Sequence, residues 1–226
     1  MLKINNVSIE IAGKRIIDSL NTSFNKGEVN TIYGLNGIGK TTLFNCIYGL
    51  LKYTGSITLD NRSITKDDCS YLMTENYFYP NLLACEYLNI FQNNSKSELF
   101  KIDMLAELLG VPLKQNIDTF STGMKKKLSF IAVIKLNREV FLLDEPFNGV
   151  DYESINLMKE IIKKLIENSK MVIISSHIQS HIIDICENIL VIEDVNQHNQ
   201  LSKQKFESYL LDISTTVSKR IQDALM

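Results

Sequence analysis

Two periods of hydrophobicity alternate along the chain. Residues 2–11, LKINNVSIEI, switch between polar and apolar at almost every step, as a strand with one buried face does. NKGEV then marks a turn, and VNTIY (29–33) forms a β-branched run that leads into a glycine-rich segment. Past Lys40 the spacing lengthens. Leu43, Ile47, Leu50 and Leu51 recur at helical intervals, which predicts a helix opened by the glycine segment. TGSITLDNRSI (54–64) returns to short strands around turn residues, and residues 81–136 read as mostly helical, broken at Gly110, at Pro112 and in DTFSTG (118–123). Three compact apolar runs follow: VFLL (140–143), MVII (171–174) and ILVI (189–192). Runs that are continuous rather than alternating suit strands buried on both faces of a parallel sheet. Residues 152–167, between the first two runs, read as a helix and complete a β-α-β unit. From Val195 the chain turns polar, a C-terminal tail over 195–226 in which Val217, Ile221 and Leu225 mark a short amphipathic helix. The pattern predicts an α/β fold in one domain over residues 1–226. Its parts are a parallel-sheet core, an N-terminal antiparallel β patch and a helical subdomain over about 76–136.

Composition narrows the class. Hydrophobic residues are 45% and charged residues 22% of the 226, as in ordinary globular proteins. With 24 basic and 26 acidic residues the net charge is −2, which leaves no basic surplus for a nucleic-acid backbone, and no nucleic-acid partner is expected. The N-terminus lacks the apolar core of a signal peptide, and no apolar run approaches the ~18 residues that span a bilayer. Cys46, Cys69, Cys85 and Cys186 show no C-x-x-C spacing and read as reduced, mostly buried thiols.

The candidate chemistry starts at GLNGIGKTT, residues 34–42, where three glycines, one lysine and two threonines occupy nine positions. The stretch fits G-x-x-x-x-G-K-[ST], a phosphate-binding loop between a strand and a helix, and makes the fold that of a P-loop NTPase. Gly34, Gly37 and Gly39 let successive N–H groups face phosphate oxygens, with Leu35, Asn36, Ile38 and Thr42 completing the loop. Lys40 can reach the β- and γ-phosphates and the Thr41 hydroxyl can ligate Mg²⁺. VFLLDEP then delivers Asp144 and Glu145 at the end of a buried strand, facing the same crevice. Asp144 is placed to hold Mg²⁺ and Glu145 to act as general base on an attacking water. MVIISSH brings His177 to the end of a neighbouring strand, within reach of a terminal phosphate. In FSTGMKKKLSF, Ser121 can cap a helix whose entrance Gly123 keeps open. Taken alone, that stretch is only a capped helix with an exposed lysine-rich face.

The order of these features, phosphate loop, serine-glycine helix start, LLDEP, NGVD and histidine, resembles the ATP-binding-cassette family from Leu2 to about Glu193. YPNLLACEYL and FSTGMKKKL look most like the ATPase subunits of drug, antibiotic and peptide exporters. The resemblance implies an ATPase that turns ATP into ADP and phosphate, with Lys40, Glu145 and His177 in catalysis. It also implies an integral membrane subunit as partner, a second copy or related ATPase subunit to close the sites, and a place on the cytoplasmic face of the membrane. Ser121 and Gly123 then resemble the contacts made to the γ-phosphate of the opposite subunit, Asp151 the aspartate linking two sites, and His177 the switch histidine. Three positions depart from the pattern. Ala12 stands where many members stack an aromatic residue on adenine, with Ile11 and Arg15 as the nearest substitutes. Thr74, with Glu75 beside it, stands where a glutamine is usual, and either side chain could ligate Mg²⁺ or water. Thr122 and Met124 stand where glycine and glutamine are commoner. Two other readings stay open: a soluble cassette ATPase acting on ribosomes or DNA, and a weakly catalytic regulatory cassette subunit.

Overall fold

The computed structural model describes residues 1–91 and 99–224, with side chains described as far as Thr215. The chain begins with β1 (Leu2–Ile11) and β2 (Lys14–Phe24), an antiparallel pair, and then enters the central sheet at β3 (Val29–Tyr33). After the glycine loop comes α1 (Lys40–Tyr48), followed by β4 (Thr54–Leu59), β5 (Arg62–Ser63) and β6 (Cys69–Leu72). Three helices precede the next strand: α2 (Ala84–Ile90), α3 (Ile102–Leu108) and α4 (Thr122–Leu136). The C-terminal third alternates β7 (Val140–Asp144), α5 (Tyr152–Glu167), β8 (Met171–Ser176), β9 (Asn188–Asp194), β10 (Gln197–Ser202) and α6 (Lys203–Ala224).

The strands form two sheets. One is antiparallel, ordered β2-β1-β4-β5, and the other has six strands ordered β10-β9-β3-β8-β7-β6. Within the second, β9, β3, β8, β7 and β6 run parallel and only β10 is antiparallel, on β9. The three apolar runs are β7, β8 and β9, and their continuity has a packing cause. Along β7, Val140 and Leu142 pack with the antiparallel sheet and α1, while Phe141 and Leu143 pack with α2 to α5. Each face of the strand therefore ends in a core, and burying a side chain such as Phe141 is worth roughly 1.5–3 kcal/mol. Parallel direction also brings the C-terminal ends of β3, β6, β7 and β8 to one edge, where the loops that follow them share a crevice.

Several details differ from the sequence pattern. The helix opened by the glycine loop stops at Tyr48, because Gly49 adopts φ 87° and its N–H returns to the Cys46 carbonyl at 3.1 Å. Leu50 and Leu51 thus continue the apolar spacing beyond the helix, and Leu50 is exposed. The polar stretch after Val195 contains a strand and a long helix. β10 tolerates polar residues because it is an edge strand paired on one side, and α6 begins at Lys203 rather than near Thr215. The apolar stripe at Val217, Ile221 and Leu225 falls beyond the side chains described, with Val217 and Ile221 on the backbone of α6. Cys46, Cys69 and Cys186 are buried free thiols, with Cys85 half-buried. Burial pushes the Cys46 and Cys186 thiols up to about 11 and the Cys69 thiol to about 12, so they remain unionised at neutral pH.

Asn30, fully buried on β3, ties the root of the phosphate-loop strand to its neighbours. Its Nδ2 donates to the carbonyls of Asn25 (2.8 Å), Glu28 (3.3 Å) and Val172 (3.3 Å), and its Oδ1 accepts from Asn25 N and from Asn188 Nδ2. Asn30→Ala orphans these groups and is expected to destabilise the fold by about 1–3 kcal/mol. A chemical denaturation curve with an unshifted midpoint would contradict this.

Candidate nucleotide site

The glycine loop is shaped by close approach. A Cβ on Gly34 would stand 2.6 Å from the Ile192 carbonyl oxygen of β9, so no larger residue fits without moving the loop. Gly39 adopts φ +114°, and there a Cβ would also meet Ile16 at 2.9 Å. Gly39 is the N-cap of α1, and it provides no side-chain hydrogen bond; the first turn carries no acidic residue. The orphan N–H groups of that turn and the positive end of the helix are therefore free to receive an anion. Lys40, buried at the same place, donates to the carbonyls of Gly34 (2.8 Å) and Leu35 (3.1 Å).

Asp144, with no exposed surface, lies at the end of β7. Its Oδ2 accepts from the hydroxyls of Thr41 and Thr74, both at 2.6 Å, and its Oδ1 from the Ser175 hydroxyl. Ser175 also accepts the Glu145 N–H at 3.0 Å. That second bond matters because Glu145 sits at φ 46°, a left-handed conformation costing a non-glycine residue about 1 kcal/mol or more. The turn aims the Glu145 carboxylate into the crevice. Its Oε1 lies 3.3 Å from Lys40 Nζ and 2.9 Å from His177 Nδ1, whereas its Oε2 is buried and has no partner among the described residues. The site thus brings together Lys40, Thr41, Thr74, Asp144, Glu145 and His177. The structure does not bring Glu75 to Asp144; it lies exposed on the wall of a neighbouring cavity of about 420 Å³.

The donor set suits a hard cation. Two hydroxyls and a carboxylate oxygen converge at hydrogen-bond distance, all oxygen ligands of the kind Mg²⁺ prefers. Among the described residues no three His, Cys, Asp or Glu side chains form a metal cage. A Mg²⁺ here would therefore draw further ligands from phosphate oxygens and water, its usual mode with nucleotides.

The helix start at Ser121 is capped by its own hydroxyl, which accepts from Met124 N at 3.2 Å. Gly123 is needed within the same chain, since a Cβ there would lie 2.6 Å from the Gly149 carbonyl. The lysine run of α4 is not an exposed face. Lys126 and Lys127 are buried, because α4 packs against the turn at 73–74 and the start of α5. Lys127 donates to Asp151 Oδ2 (3.3 Å) and Ser154 Oγ (3.2 Å). Asp151 caps α5, accepting from the Ser154 N–H and hydroxyl at 2.8 Å each, and these bonds hold its carboxyl down at about 2. At the other rim, Ala12 forms an exposed turn at φ 50°. Arg15 is bound to Asp18, and exposed Ile11 is the apolar side chain left there. Ser175 was not singled out by the sequence pattern. A serine in an SSH stretch carries no local sign that it will bridge two acidic residues.

The chain belongs to the ABC transporter family, whose profile matches residues 17–148, more than half of it. It is an ATP-binding cassette with ATPase activity. An uncharacterised ABC transporter ATP-binding protein of Bacillus subtilis (strain 168), YhcH, is 30% identical over 204 residues, or 85% of this chain and 67% of the relative. The lantibiotic transport ATP-binding protein SrtF of Streptococcus pyogenes is 29% identical over 224 residues, covering 93% of this chain and 98% of SrtF. The solved structure of an ABC transporter ATP-binding subunit superposes with a TM-score of 0.84 over 92% of both chains at 20% identity. MJ0796, a bacterial ABC transporter cassette solved as a dimer, gives 0.77 over 90% of this chain and 99% of that one at 19% identity. These two likenesses establish the fold.

Ser175 has the geometry of a residue that orients both acids. Ser175→Ala should leave nucleotide binding within about threefold but lower ATPase kcat roughly 10–100-fold, the range seen when outer partners of metal-binding groups are removed. Steady-state kinetics with unchanged kcat would show that Asp144 and Glu145 hold their places without it.

Proposed function

We propose that this protein is the energy-supplying subunit of an exporter, hydrolysing ATP at two sites shared between two copies. One observation carries the catalytic reading: the buried Glu145 carboxylate touches Lys40 and His177 through one oxygen and leaves the other unpartnered, beside Asp144. In this reading the triphosphate binds on the glycine loop, and Lys40 exchanges the Gly34 and Leu35 carbonyls for phosphate oxygens. Mg²⁺, when bound by Thr41, Asp144 and Thr74, neutralises charge on the phosphate oxygens. Glu145 accepts a proton from water as its oxygen attacks the γ-phosphorus, and the bond to the bridging oxygen breaks to release ADP. His177 keeps the Glu145 carboxylate oriented through the attack.

The export direction and the peptide-like cargo rest on similarity to SrtF across almost the full length of both chains. Among the described residues no helix is long and apolar enough to cross a membrane. In this reading a membrane subunit carries the cargo, and this protein is held on its cytoplasmic face. The second copy enters through α4. Ser121 caps the first turn, yet the other N–H groups at that entrance are open to an anion from outside the chain.

Glu145→Gln should retain ATP binding and reduce turnover by about 10²–10⁴-fold, as expected when a general base is removed. Near-normal hydrolysis by the purified variant would rule out this assignment. A separate measurement addresses site sharing. Ser121→Arg should bind ATP as a monomer but fail to hydrolyse it, and mixing it with inactive Lys40→Ala should restore part of the activity, because each mixed pair contains one intact composite site. Full activity of Ser121→Arg alone would refute sharing.

A further inference from the structure

Lys126 is a buried cation that the catalytic scheme leaves unused. It is 6% exposed and makes no ion pair among the described residues; instead its ammonium donates to three backbone carbonyls, Met73 (3.2 Å), Thr74 (3.3 Å) and Asp144 (3.3 Å). Those carbonyls belong to two segments outside α4, the turn after β6 and the end of β7. Burying an ammonium is costly, and a neutral side chain would fill the same space at less expense. Burial drives this lysine down to about 8 even though Asp144 and Glu145 pull the other way. What the ammonium supplies, and an apolar residue cannot, is three donors radiating from one point.

The positions of the acceptors say what is held. Thr74 and Asp144 are the two residues whose side chains meet in front, where the Thr74 hydroxyl donates to Asp144 Oδ2 at 2.6 Å. Lys126 grips the same two residues from behind through their main chains. Thr74 sits in a turn outside regular structure and is itself exposed, so nothing in the sheet ladder fixes its distance from β7. The adjacent Lys127 binds Asp151 and Ser154, so the first turns of α4 are pinned both to the metal end of the site and to the start of α5.

We infer that Lys126 is a positioning residue: it holds the Thr74 hydroxyl on the Asp144 carboxylate and fixes the entrance of α4 in register with that end of the site. The role in turnover rests on the ATPase reading above, but the tether itself does not. Its charge also sets a balance. Asp144 and Glu145 face Lys40 and Lys126, and when Lys40 moves to phosphate, Lys126 stays behind the two acids.

The test compares wild type, Lys126→Gln and Lys126→Met with Thr74→Val and with the Thr74→Val/Lys126→Met double variant. Without nucleotide, amide hydrogen exchange in peptides covering Met73–Asn76 should rise about tenfold in Lys126→Met while peptides from β3 and α5 stay unchanged, since only a local tether is lost. ATPase kcat should fall about tenfold or more, in the range for outer-partner loss, with KM for ATP within twofold. Lys126→Gln, which keeps donors for two carbonyls, should show about a threefold loss in kcat and intermediate exchange. On the Thr74→Val background, Lys126→Met should cost less than twofold more, because both changes remove the same constraint. Exchange unchanged at 73–76, or a full further tenfold loss on that background, overturns the proposal. If Lys126→Met does not fold, Lys126→Gln decides by the same two measurements, and wild-type exchange and kcat in that variant overturn it. A wild-type protein with no ATPase activity would count against the function and leave the exchange result to judge the tether.

Discussion

A carboxylate with no access to water is the constraint around which the site is built. Hydroxyls from three separate segments donate to the buried Asp144 carboxylate: Thr41 from the start of α1, Thr74 from the turn after β6, and Ser175 from the end of β8. Each donor must arrive at hydrogen-bond distance, so the carboxylate fixes the mutual positions of the glycine loop, the 73–74 turn and the two central strands. The strand that carries it is packed on both faces, which gives the charge a rigid support. The sharp turn at Glu145 follows from the same arrangement. Immediately past a fully buried acid, the chain has to reverse into the crevice, and the Ser175 hydroxyl stabilises the strained residue that does so.

Much of this architecture is legible in the sequence because its causes are local. The spacing of Gly34, Gly37, Gly39 and Lys40 encodes a loop between strand and helix, and the runs at 140, 171 and 189 encode strands with two buried faces. Ser121 before Thr122 has the form of a helix cap and acts as one. What could not be read depends on contacts between distant segments. Three consecutive lysines look like a solvated face, and only the packing of α4 against the 73–74 turn buries Lys126. Thr74 and Glu75 offer two candidate ligands side by side, and the direction of the turn brings only the threonine to Asp144. β6 is four residues long with the unremarkable sequence CSYL. β10 is polar because it is an edge, so neither announces itself by hydrophobic period.

The α4 helix joins two kinds of order. Its entrance is tied inward by Gly123 lying against the Gly149 carbonyl and by Lys126 and Lys127, while Ser121 occupies the first turn at the surface. A helix pinned at several points near one end moves as a body or not at all. The ring contact between Tyr33, the residue before the glycine loop, and the fully buried Phe206 extends the same principle to α6.

The order of the six-stranded sheet also governs how the protein comes off the ribosome. β3 is the first of these strands to be synthesised, yet its neighbours are β8 and β9, two of the last. The glycine loop it leads into is confined by the Ile192 carbonyl of β9, and the Gly34 N–H bonds to Ser176 at the end of β8. Until β8 and β9 have emerged, the loop lacks the walls they supply and β3 lacks both of its sheet neighbours. The shape of the loop thus depends on strands that follow it by well over a hundred residues, a non-local contact of the kind that forms late.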